Sequence, residues 1–122
     1  MAKLLIVDDS FILRRWVKDI LKETDYDIIE AANGKLALDE INQTPPDCII
    51  LDLLMPEYDG MYFLEQAKSK NINIPIIILS ADIQKTTKKK CMDLGAFDFL
   101  NKPPEKESLI NTINRALLSN DK

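Results

Sequence analysis

A chain of 122 residues, 46% of them hydrophobic and 30% charged, has the size and composition of one globular domain with a proper core. A formal net charge of −4 argues against nucleic acid as a partner, and no apolar run approaches the roughly 18 residues of a membrane span. The sequence has no histidine, Cys48 and Cys91 lack metal-type spacing, and no cleavable leader is read at Met1-Ala2-Lys3, so reduced thiols in a cytoplasmic protein are expected.

Taken in chain order, short apolar runs alternate with longer amphipathic stretches. Leu4–Val7 reads as a strand, and Phe11–Lys22 follows as a helix with Leu13, Trp16, Val17, Ile20 and Leu21 on its apolar face. Asp27–Glu30 is the second strand, and Asn33-Gly34 punctuates the start of a helix over Lys35–Asn42. Cys48–Leu51 is the third strand and Ile74–Leu79 the fourth, with a helix at Met61–Ser69 between them; Cys48–Leu51 and Ile76–Leu79 read as continuous apolar runs, as central strands of a parallel sheet do. Thr86–Leu94, closed by Gly95, is the fourth helix; Phe97–Leu100 is the last strand, and Glu105–Leu118 the last helix. There is no internal repeat and no linker. Strict strand–helix alternation predicts a doubly wound α/β domain, a five-stranded parallel sheet with helices on both faces.

In such sheets ligands bind beyond the carboxyl ends of the strands. The first strand ends in Asp8-Asp9, the third in Asp52, the fourth in Ser80, and the fifth runs into Lys102-Pro103; the second ends in Ala31-Ala32-Asn33, with no reactive group. In the common order 2-1-3-4-5 the second strand is an edge and the four equipped ends are contiguous. Three carboxylates at one rim need a cation, and an oxygen-only set with open positions suits Mg²⁺. A serine hydroxyl and a lysine ammonium are then the remaining parts needed around a phosphoryl group, and a carboxylate can be the nucleophile that accepts it. Singly, each residue has a plainer reading. Asp8-Asp9-Ser10 could cap the helix that follows, Asp52 could form a turn, Ser80 could be a structural hydroxyl and Lys102 a solvated charge.

The segments "LLIVDDS", "CIILDLLMPEYDG", "PIIILSA" and "LGAFDFLNKP" together resemble the receiver domain of bacterial response regulators, from Lys3 to about Leu118. The resemblance implies a flavodoxin-like (CheY-like) fold with strand order 2-1-3-4-5 and five helices. It implies that Asp52 is the phosphoacceptor, served by a histidine kinase or phosphotransfer domain. Asp9 would ligate Mg²⁺ directly, Asp8 mostly through water, and the Leu54 backbone carbonyl would be a third protein ligand. Ser80 would be the switch hydroxyl, Lys102 would pair with the phosphoryl group, and the Lys102–Pro103 bond would be cis. Phe99 stands at the switch aromatic, without a hydroxyl to offer; the alternative is a plain core residue.

Leu54 and Asp82, two residues past Asp52 and Ser80, would flank the water that hydrolyses the aspartyl phosphate, and apolar Leu54 would slow it. Pro104 follows Pro103 and stiffens the entry to the last helix. Trp16 is expected in core or boundary packing. "QKTTKKKC", residues 84–91, is either a solvated helix face or, with the last strand and helix, a docking surface for an acidic downstream partner. The expectation is a single stand-alone receiver, monomer or weak dimer, that catalyses only its own phosphorylation and dephosphorylation. It would switch a partner protein, with chemotaxis as one setting and a separate phosphatase as a possible companion. A receiver excised from a longer protein, a Mg²⁺-dependent aspartyl-nucleophile phosphohydrolase and a degenerate receiver that binds without phosphorylation are the alternatives.

Overall fold

The computed structural model describes residues 2–81 and 84–119. Its elements are β1 (Lys3–Val7), α1 (Phe11–Leu21), β2 (Asp27–Ala31), α2 (Gly34–Gln43), β3 (Cys48–Leu51), α3 (Gly60–Ser69), β4 (Ile76–Ser80), α4 (Lys85–Asp93), β5 (Asp98–Asn101) and α5 (Lys106–Ser119). The five strands form one parallel sheet in the order β2-β1-β3-β4-β5, as expected. None of the described helices is long and apolar enough to cross a membrane.

Alternation along the strands divides the core in two. Leu5, Val7, Ile49, Leu51, Ile76 and Ile78 face α2 and α3, joined by Cys91 of α4. Leu4, Ile6, Cys48, Ile50, Ile77 and Leu79 face α1 and α5. β3 and β4 are buried at every position, so they lie between two helical layers. Full burial of one such Leu or Ile side chain contributes about 1.5–3 kcal/mol, and that apolar wall offsets the charges gathered at its carboxyl end. Neither cysteine forms a disulfide; burial pushes the Cys48 thiol up to about 12.

Two expectations are corrected. β4 opens at Ile76 because Pro75 has no N–H for the ladder, although its carbonyl still accepts from the Ile49 N–H at 3.0 Å. Trp16 is 46% exposed rather than packed; α1 buries Val17 and Leu21, and Trp16, one residue before Val17, is turned about 100° away from that line.

The α3 start fits tightly under β3. Asp59 caps α3 by accepting from the Tyr62 N–H at 2.9 Å, and the Gly60 N–H donates to the Leu53 carbonyl at 3.1 Å. A Cβ on Gly60 would stand 2.5 Å from the Asp52 carbonyl oxygen and 2.6 Å from the Leu53 Cα, both backbone atoms that cannot swing aside. Gly60→Ala should therefore lower unfolding free energy by about 1–3 kcal/mol, the usual cost of overpacking, read as a lower urea midpoint.

Candidate functional site

The carboxyl ends of the strands are held by hydrogen bonds that run one residue past them. The Asp8 N–H donates to the Ala31 carbonyl at 3.1 Å, the Asp52 N–H to the Val7 carbonyl at 2.9 Å, and the Lys102 N–H to the Ser80 carbonyl at 3.0 Å. Val7 pairs with Leu51, so Asp8 and Asp52 leave adjacent strands side by side. Both are buried, whereas Asp9 is exposed. Carboxylate oxygens of Asp8, Asp9 and Asp52 lie within 4.8 Å of one another.

Like charges that close repel, and the fold answers with Lys102. Its Nζ stands 3.0 Å from Asp8 Oδ2 and 3.2 Å from Asp52 Oδ1. The Ser10 N–H donates to Asp8 Oδ1 at 2.8 Å, and the Leu54 N–H to Asp52 Oδ1 at 3.3 Å. Burial, followed by the Asp8 charge, pushes the Asp52 carboxyl above the ordinary carboxylate range; Lys102 and the Leu54 N–H pull it back without cancelling the rise.

The plainer readings are partly true as well. Ser10 is the helix cap, its Oγ accepting from the Leu13 N–H at 3.2 Å, which leaves Asp8 and Asp9 clear of capping. Asp52 does make a turn contact with Leu54, yet its carboxylate also meets Lys102. Ser80 is fully buried at the end of β4, beside Asn101 of β5. Phe99, 9% exposed, already packs in the core on the α2–α3 side of the sheet. The Lys102–Pro103 bond is cis, Pro104 is buried, and the Leu54 side chain is 64% exposed. Asp82 lies outside the described residues.

One residue at the site went unnoticed in the sequence. The Arg14 side chain, 15% exposed, reaches back from α1, where Nη1 donates to the Asp8 carbonyl and Nε to Glu30 Oε1 at 2.9 Å. The available signal was its position four residues after the cap Ser10, one turn into the helix.

Residues 4–114 match the family described as the response regulator receiver domain. The chain belongs to this family. The receiver is 35% identical over 117 residues to the chemotaxis protein CheY of Listeria monocytogenes, covering 95% of this chain and 98% of that one. It is also 40% identical over 120 residues to a protein-glutamate methylesterase/protein-glutamine glutaminase of Treponema denticola, but spans only 32% of that relative's length. Among solved structures, a Francisella response regulator 1452 receiver domain superposes with a TM-score of 0.91 at 34% identity, covering 98% of both chains. Vibrio cholerae CheY4 gives 0.88 at 33% identity, covering 96% of this chain and 99% of that one.

Oxygen-only donors this close, two of them buried, fit a hard divalent cation of the Mg²⁺ class. The raised Asp52 carboxyl gives the receiver a pH dependence of definite sign. The folded state holds that proton more tightly than the unfolded chain, so the contribution of Asp52 is complete below the unfolded pKa and is lost as pH rises through the folded one. In buffer free of divalent cations, Asp52→Asn should melt above wild type at pH 7, with the gap closing on acidification. A variant less stable than wild type at pH 7 contradicts this reading of the site.

Proposed function

We propose that this receiver accepts a phosphoryl group on Asp52 from a histidine kinase or phosphotransfer domain, with Mg²⁺, and thereby changes the surface it offers a partner protein. The observation that carries the reading is the convergence of Asp8, Asp9, Asp52 and the Lys102 ammonium on one rim, within salt-bridge and metal-ligand distances. Asp9, Asp52 and the Leu54 carbonyl would hold the ion directly and Asp8 largely through water; the ion supplies charge neutralisation for the phosphoryl oxygens. Asp52 is the nucleophile: one carboxylate oxygen forms a bond to phosphorus as the bond from phosphorus to the donor nitrogen breaks, and the electron pair stays on that nitrogen. Lys102 would follow the charge from Asp52 to the phosphoryl oxygens, and the Ser80 hydroxyl would donate to one of them.

The face formed by α4, β5 and α5 is the proposed output surface. Lys85, Lys88, Lys89 and Lys90 are exposed on α4, which suits an acidic partner, although Lys89 also pairs with Asp93 at 3.0 Å, as a solvated face would. Control of chemotaxis is one setting consistent with the CheY relatives. The phosphohydrolase alternative is disfavoured because an apolar residue, Leu54, stands two positions after the nucleophile, where such an enzyme needs an acid. The degenerate-receiver alternative is disfavoured by the complete set of acids and the lysine.

Incubation with Mg²⁺ and acetyl phosphate, followed by intact mass measurement, should add one phosphoryl group to wild type. The gain should vanish with EDTA and in Asp52→Asn. No gain in wild type would favour a phosphorylation-independent binding module. The exposed Leu54 side chain, beside the Asp52 carboxylate that its own N–H reaches, would obstruct a hydrolytic water. Leu54→Asn should therefore shorten the lifetime of the phosphorylated form severalfold in a dephosphorylation time course, and an equal or longer lifetime would remove that role.

A further inference from the structure

Asp8 is fixed at four points, and only three of them come from the sheet end and its own loop. Its N–H is bound to Ala31, one carboxylate oxygen to the Ser10 N–H and the other to Lys102. Its carbonyl is held from α1 by Arg14. That carbonyl belongs to the peptide joining Asp8 to Asp9, so its direction sets the plane from which the Asp9 side chain departs. Asp9 needs such help. It is exposed, and among the described residues no hydrogen bond or ion pair holds its carboxylate.

Arg14 is itself clamped. Nε donates to Glu30 on β2 at 2.9 Å, and Lys18, one turn further along α1, approaches the other Glu30 oxygen at 3.1 Å. The guanidinium carbon lies 6.0 Å from the centre of the Phe11 ring. With its side chain 15% exposed, this planar group donates in two directions at once, to a carboxylate and to a carbonyl. A lysine ammonium could keep the pair with Glu30 but could not hold both acceptors from the same stem.

We propose that Arg14, braced by Glu30, is a positioning residue that orients the Asp8–Asp9 peptide and so presets Asp9 for the divalent cation. The proposal rests on the receiver chemistry inferred above, in which the ion is bound at this rim. Arg14 touches neither the ion nor the phosphoryl group; it acts through the backbone between two acids. Groups that orient metal ligands from outside the coordination sphere are worth about 10- to 100-fold in affinity when lost. A carbonyl contact acting through one peptide should sit near the lower end of that range.

The test is Arg14→Lys alongside wild type and Glu30→Gln. Mg²⁺ affinity is read directly by calorimetric titration, and the acetyl phosphate reaction is followed by intact mass across a Mg²⁺ series. Arg14→Lys should weaken Mg²⁺ by about tenfold and raise the Mg²⁺ concentration for half-maximal phosphorylation by the same factor, while the rate at saturating Mg²⁺ returns to that of wild type. Glu30→Gln, which keeps an acceptor but loses the charge, should shift both in the same direction by less. Recovery at saturating ion separates positioning from general loosening, which would lower the ceiling too. Unchanged Mg²⁺ affinity in Arg14→Lys overturns the proposal, as does a lowered ceiling with an unchanged half-saturation point. If Arg14→Lys fails to fold, Glu30→Gln decides in the same assay. Wild type that binds Mg²⁺ but takes no phosphoryl group counts against the receiver chemistry alone, and the affinities still judge Arg14. Wild type that binds no Mg²⁺ overturns both.

Discussion

The site depends on one ammonium standing between two buried carboxylates. Asp8 and Asp52 leave neighbouring strands, and Lys102 reaches both at 3.0 and 3.2 Å. Two like charges about 4 Å apart cost about 4 kcal/mol at the effective dielectric near a protein surface, a sizeable fraction of a small domain's stability. Lys102 offsets part of that, and burial, followed by the Asp8 charge, still leaves Asp52 holding its proton more tightly than an ordinary aspartate. The arrangement is therefore poor as a stabilising feature and good as a poised one.

The sheet order makes this arrangement possible. Because β1 and β3 are adjacent, residues one step beyond Val7 and Leu51 face each other without any long loop. On the far side of β3, β4 and β5 are paired up to Ser80 and Asn101, and the next N–H of the chain, that of Lys102, closes the ladder on the Ser80 carbonyl. Lys102 thus starts from a fixed backbone point and spans two strands to reach its acids. Gly60 completes the frame, letting α3 begin against the Asp52 peptide where a Cβ would collide.

Much of this was readable in the residues, for identifiable reasons. All-apolar runs such as Cys48–Leu51 announce buried central strands, and a charged residue directly after such a run has few places to go but the sheet rim. Chemistry at strand ends needs no knowledge of side-chain packing once the order of strands is assumed. The failures lie where packing decides. Helical spacing puts Trp16 in the apolar stripe of α1, but an 11-residue helix against this sheet buries only a narrow line through Val17 and Leu21. Arg14 is not legible in the sequence because its contacts reach backward from α1 to β2 and to the end of β1, a tertiary arrangement that no spacing rule singles out. Phe99 packs in the core on the α2–α3 side, a position that the switch aromatic and the plain core residue share.

The same charge accounting explains how an event at Asp52 would reach a distant face. Formally, Asp8, Asp9 and Asp52 with Lys102 sum to −2, which one divalent cation balances. Under the proposed chemistry a carboxylate of charge −1 becomes an acyl phosphate of about −1.5 to −2, and the balance is broken toward the phosphoryl oxygens. Under that chemistry Lys102, already paired with Asp8 and Asp52, would follow the added charge, and the Ser80 hydroxyl at the end of β4 would turn toward it. Both sit on the β4–β5 pair, joined through the Lys102 N–H and the Ser80 carbonyl. Phe99 lies two residues before Asn101 in that same strand, and β5 leads directly into α5. In the proposed chemistry a redistribution of charge at the rim would act first on β4 and β5, and the exposed lysines of α4 would be where a partner senses it.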